Sequence, residues 1–114
     1  MNTIDSYQFG EIVISGKKYS ADVIIFPDRV IDNWWRETGH ELCLEDITGI
    51  IKEKLDVLVV GCGVQGLMKV LPEVEEIAQA QGIELIVETT DRACDTYNQL
   101  CRSQRIVAAL HLTC

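Results

Sequence analysis

The segment DVLVVGCGVQG, Asp56 to Gly66, sets a thiol between two glycines at the end of an apolar run. Cys62 is therefore a candidate nucleophile, because backbone N–H groups exposed in a glycine turn lower a thiol pKa. Thiol chemistry also needs a base. The chain has two histidines, His40 and His111, and neither is adjacent to Cys62 in sequence. Gly61, Gly63 and Gly66 also satisfy G-x-G-x-x-G after an expected strand, with Glu88 near the end of the next one. That pattern binds dinucleotides through a tight turn, close backbone approach and a helix N-terminus aimed at the pyrophosphate. Here the following helix begins only at Pro72, and the chain is short for both halves of a dinucleotide sheet. A structural loop whose glycines supply positive φ and close packing is expected instead, with no cofactor.

The second segment with chemical content is Arg29 to His40, RVIDNWWRETGH. Adjacent tryptophans in extended backbone point to opposite sides. Ile31 and Trp35 then share one face, while Asp32, Trp34 and Arg36 share the other and pair an aromatic ring with a guanidinium. Trp34 and Arg36 could line a pocket; the plainer alternative has both tryptophans filling gaps under a sheet and Arg36 in a surface ion pair. The spacings His40-x-x-Cys43 and His111-x-x-Cys114 would present metal ligands together only on helices, and His111 ends a strand pattern, so no metal is expected.

The five cysteines form an odd set without the spacing of a disulfide or zinc framework, which points to reduced thiols. On one helix, Cys94 and Cys101 would share a face but stand roughly 10 Å apart, too far for an undistorted disulfide.

These residues must be positioned by a chain of 114 residues, enough for one α/β domain over residues 1–114. The 18 acidic and 10 basic side chains give a net charge of −8, which repels phosphate backbones and anionic membranes; nucleic acid is not expected as a partner. The longest apolar runs are strand-sized, well short of the roughly 20 residues that span a bilayer, so no membrane association is expected. The N-terminus MNTIDSYQFG has neither a basic segment before an apolar core nor an Arg-rich amphipathic pattern, and the expected compartment is the cytoplasm.

Alternation from Tyr7 to Ser15 and again from Tyr19 to Phe26, around Ser15-Gly16-Lys17-Lys18, predicts a β-hairpin. Arg29 to Trp35 is expected as a third strand. Leu44, Ile47, Ile50, Ile51 and Leu55 recur at helical steps between Leu42 and Leu55, although Gly49 inside that helix costs about 1 kcal/mol relative to alanine. Asp56 to Val60 reads as a strand covered on both faces, and Leu67 to Leu71 as a short extended segment. Pro72 suits the first turn of a second helix ending near Gly82. A strand at Ile83 to Val87, a helix capped by Thr89 or Thr90, and a last strand at Arg105 to Leu112 complete the order β-β-β-α-β-α-β-α-β. The alternating second half implies right-handed crossovers and largely parallel strands.

Taken together, SYQFGEIVISGKKY, DVIIFPDRV, Trp34 to Arg36, Gly39-His40, DVLVVGCGVQG and the closing VAALHLTC resemble a family of small α/β domains. That family includes the adipogenesis-associated domain protein and a mitochondrial respiratory complex I assembly factor. The resemblance implies a three-layer α/β/α-type fold with a mixed central sheet and an added N-terminal β-hairpin. It supplies no shared catalytic residues. In relatives the loop looks like G-T-G-x-x-G, whereas Cys62 stands here in place of the threonine, which argues against an essential hydroxyl.

The expected function is a noncatalytic binding or protein-interaction module, holding a protein partner or a small anionic ligand at Trp34, Arg36, His40 and the loop of Gly61, Cys62, Gly63 and Gly66. The alternative is a small enzyme acting on an anionic metabolite. There Arg36 would orient the substrate, Gly61 and Gly63 would donate backbone hydrogen bonds, and Cys62 or His40 would carry the chemistry.

Overall fold

The N-terminal strands turn on two-residue loops. In the computed structural model, which describes residues 2–36 and 38–113, β1 (Ile4–Gln8) pairs antiparallel with β2 (Glu11–Ile14), and β2 with β3 (Lys17–Tyr19). Ser15 and Gly16 both take positive φ, 48° and 81°, the geometry whose twist suits a hairpin. Gly10, at φ 77°, breaks the strand expected over Tyr7 to Ser15, so the hairpin becomes a three-stranded antiparallel sheet.

β4 (Val23–Ile25) and β5 (Val30–Ile31) pair antiparallel. The strand expected through Trp35 stops at Ile31 because Asn33 takes φ 56°, a left-handed conformation that extended backbone cannot include. After β6 (Glu41–Leu42), the helix expected to reach Leu55 shortens to a 3₁₀ turn at Leu44–Ile47 and α1 (Thr48–Ile51). Its start is taken up elsewhere: the Leu42 carbonyl accepts from the Leu71 N–H at 3.0 Å.

β7 (Val57–Cys62) runs two residues beyond the expected end and takes Gly61 and Cys62 out of the loop. β8 (Lys69–Val70) pairs parallel with β6. α2 (Pro72–Ala80) begins at the proline, as its fixed φ favours, and Gly82 turns the chain with φ 71° into β9 (Glu84–Glu88). α3 (Thr90–Leu100) then leads to β10 (Ile106–His111).

The main sheet has the order β5-β4-β10-β7-β9. β10, β7 and β9 are parallel, while β4 runs antiparallel to β10, which makes the sheet mixed. β7 and β10 are buried along their full length. Alternate residues of β10 serve two cores: Ile106, Ala108 and Leu110 pack with Tyr97 of α3 and Ile12 and Ile14 of β2. Val107 and Ala109 pack on the other side with Ile47, Ile50, Val74 and Ala78. Three layers result, with α3 and the N-terminal sheet on one face and α1 and α2 on the other. Each fully buried aliphatic side chain contributes about 1.5–3 kcal/mol relative to exposure, so these cores fix the sheet that carries the site. Among the described residues, no helix is long and apolar enough to cross a membrane.

Candidate functional site

Parallel register places Cys62, the last residue of β7, opposite His111, the last residue of β10. This is the carboxyl end of the parallel strands, where open α/β sheets present their ligand sites. Alternation continues the series of Val107 and Ala109, so His111 faces the same side as Trp34. The antiparallel neighbour β4 begins beside it and brings Asp22 within reach.

Asp22 Oδ1 accepts from the Leu112 N–H at 2.8 Å, and Oδ2 lies 2.8 Å from His111 Nδ1 and 2.7 Å from Arg36 Nη1. A carboxylate only accepts, so Nδ1 of His111 carries the proton and donates to Asp22. His111 Nε2 lies 3.4 Å from the Thr113 hydroxyl. Arg36 Nη2 donates to the Gly39 carbonyl at 3.2 Å, and its guanidinium lies 4.8 Å from the centre of the Trp34 ring. The Arg36 side chain is only 5% exposed, and its buried Nε has no hydrogen-bond partner among the described residues. Burial pushes the Asp22 carboxyl up, but the hydrogen bonds from His111, the Leu112 N–H and Arg36 outweigh it and hold the pKa below its ordinary value.

Cys62 is 3% exposed. Burial pushes its thiol pKa up, and the nearby Arg36 offsets this only in part. Gly61 is required by packing: a Cβ there would stand 2.9 Å from both Leu110 Cδ2 and Thr90 Oγ1. The Thr90 hydroxyl accepts from the Gly63 N–H at 2.8 Å and donates to the His111 carbonyl at 2.6 Å, which ties the loop to β10. Gly63 and Gly66 take φ of 97° and 69°. Three further loop donors also turn inward: the Val64 N–H bonds the Thr113 carbonyl, the Gly66 N–H that of Gly63, and the Met68 N–H that of Cys62. These donors are spent within the fold and form no phosphate cradle or oxyanion hole.

Of the residues singled out in the sequence, Trp34, Arg36, Gly61, Cys62 and Gly63 are buried, whereas His40 and Gly66 are exposed. The two segments do meet, since Arg36 sits 3.0 Å from His111 Nδ1 and acts on Cys62, and the His40 and His111 rings lie edge to face at 6.4 Å. Cys114, half of one metal-ligand spacing, lies outside the described residues; among those described, no three potential ligands gather as a metal site. Sequence reasoning missed Asp22, which the three other groups share, and Thr90 as the tie between loop and strand. Asp22 carries one weak signal, an acid set directly before the apolar run Val23 to Phe26.

The family model described as Protein of unknown function (DUF498/DUF598) matches residues 4–112. The chain belongs to this family. Among curated relatives, NADH dehydrogenase (ubiquinone) 1 alpha subcomplex assembly factor 3 of Mus musculus is 27% identical over 109 residues, covering 93% of this chain and 57% of the mouse protein. The Homo sapiens protein of the same name is also 27% identical over 109 residues, covering 93% of this chain and 58% of its own. The chain thus spans little more than half the length of these relatives. Among solved structures, a conserved hypothetical protein from Pyrococcus horikoshii OT3 aligns with a TM-score of 0.85 at 29% identity, covering 98% of this chain and 99% of that one. A Bordetella parapertussis protein aligns with a TM-score of 0.79 at 26% identity, covering 98% and 96%. The fold of this chain therefore recurs in these two solved structures.

Proposed function

We propose that this chain is a noncatalytic protein-interaction module of the assembly-factor kind, docking a partner protein across the exposed rim around His40 and the 63–67 turn. The observation that carries this reading is the contrast between buried chemistry and exposed apolar side chains at one end of the sheet. Asp22, Arg36 and His111 are bonded inward and Cys62 is covered. Beside them, Phe9, Val64 and Leu67 are exposed. The Gly10 and Val64 N–H groups donate, each at 2.8 Å, to the consecutive carbonyls of Leu112 and Thr113, so both turns flank one segment. Apolar side chains held out on a braced framework suit protein docking. The names of the mouse and human relatives, both assembly factors, support the same reading.

The enzyme reading has less support. Arg36 is already committed to Asp22 and Gly39, which leaves no free fork for an anionic substrate. The test compares partner capture by the intact chain with capture by a Val64→Asp, Leu67→Asp variant of unchanged circular dichroism. The expected result is that a specific protein, identified by mass spectrometry, is held by the former and reduced at least tenfold with the latter. Undiminished capture of every partner would overturn the rim as the docking surface.

A further inference from the structure

Away from the loop, Trp34 closes a groove of about 370 Å³ whose apolar walls are Phe26, Ile31, Trp34, Trp35 and Ile50. Trp35 is 74% exposed and Ile31 40%, an unusual outlay of apolar surface at the β5 edge of the sheet. Gly49 of α1 also lines the groove. Glycine weakens a helix interior, and it is retained where packing or close approach demands it. Neither applies at Gly49: a Cβ built there meets nothing within 4 Å, and its φ is not in the left-handed region. The position therefore opens directly onto the groove.

The charge around the groove is one-sided. Glu45 and Asp46 line it, and its one cation, Arg29, is bonded to Asp28 at 2.8 Å and to Glu53 at 3.3 Å. The two carboxylates paired with Arg29 and the two acidic residues lining the groove outnumber this guanidinium, which itself lies 4.0 Å from the centre of the Phe26 ring. A chain of net charge −8 repels a second copy of itself, and an acidic rim attracts a basic segment.

We infer that this groove docks a basic segment of a protein partner, with one large aliphatic or aromatic side chain of that segment seated over Gly49 between Trp34 and Trp35. The inference is independent of the 63–67 rim. A chain with two such faces can hold two proteins at once, as assembly requires.

The experiment titrates the full isotope-labelled chain with two synthetic amphipathic peptides that share one leucine pattern, one filled out with lysine and the other with glutamate. The lysine peptide is expected to shift the Gly49 amide and the Trp35 indole resonances saturably, more strongly at low salt, and the glutamate peptide to leave them in place. Gln79→Ala, at an exposed position of α2 outside the groove, keeps binding and serves as the folded control. Gly49→Leu, which fills the groove, and Trp35→Ser, which removes a wall, each weaken binding at least tenfold, while Val64→Asp does not. The inference is overturned if both peptides bind alike, if the shifts map to the 63–67 turn, or if Gly49→Leu binds as well as the unaltered chain. Sedimentation of the unlabelled chain as a dimer that Trp35→Ser dissociates would assign the groove to a second copy and overturn it as well.

Discussion

Arg36 donates to Asp22 over 2.7 Å and so fastens the tryptophan segment to the start of β4. The same carboxylate receives His111, which ends β10, so one acidic side chain holds together three parts of the chain. Removing it leaves a guanidinium and an imidazole buried without their acceptor. Asp22→Ala is expected to lower the unfolding free energy by about 3 kcal/mol or more in urea titration. Arg36→Met should cost less, because Asp22 keeps its donors from His111 and the Leu112 N–H.

Acid should weaken the fold in a predictable direction. The folded-state pKa of Asp22 lies below its unfolded value, so its stabilisation is fully present above the ordinary aspartate value of about 3.9 and is lost as pH falls through the folded value. In that window the unfolded chain binds more protons and stability rises with pH. Urea midpoints measured down the acid range should fall more steeply for the wild type than for Asp22→Asn, which has no such proton to take up.

Two glycine substitutions should act with opposite sign. Gly61→Ala drives a methyl group to 2.9 Å from Thr90 Oγ1 and 3.1 Å from the Thr90 backbone, an overpacking expected to cost about 1–3 kcal/mol. Gly49→Ala enters open space in a helix and should gain up to about 1 kcal/mol. Thermal unfolding of the two variants against wild type checks both.

Thr90→Val keeps the shape of the side chain while removing the hydroxyl that serves both the Gly63 N–H and the His111 carbonyl. A loss of about 1–3 kcal/mol is expected, because a buried donor and acceptor are left unmatched. Amide exchange at Gly63 should accelerate more than exchange in α2, which the hydroxyl does not touch.

Cys62 and Cys94 should resist alkylation until the protein unfolds. Burial pushes the Cys62 thiol up and the Cys94 thiol up to about 12, and both side chains are covered. Mass spectrometry after iodoacetamide treatment, with and without urea, reads this directly. Rapid labelling of Cys62 in the native protein would restore it as a nucleophile.

Local pattern alone determined much of the architecture: the Ser15-Gly16 turn, the β-branched run from Val57, the proline start of α2 and the alternation of strands and helices from β7 to β10. These follow from short-range sterics and periodicity, which neighbouring residues encode. The opposed directions of Trp34, buried, and Trp35, exposed, were also legible as adjacent positions on extended backbone. Only tertiary structure decided which groups share the polar cluster. Asp22 stands 14 residues from Arg36 and 89 from His111, and no local period joins them. Their meeting depends on strand register between β4 and β10 and on the left-handed turn at Asn33. The same long-range packing drew Gly61 and Cys62 into β7, where contact with Thr90 and Leu110 makes the glycine a spacer, and left Gly49 open at a groove where the sequence showed only a weakened helix.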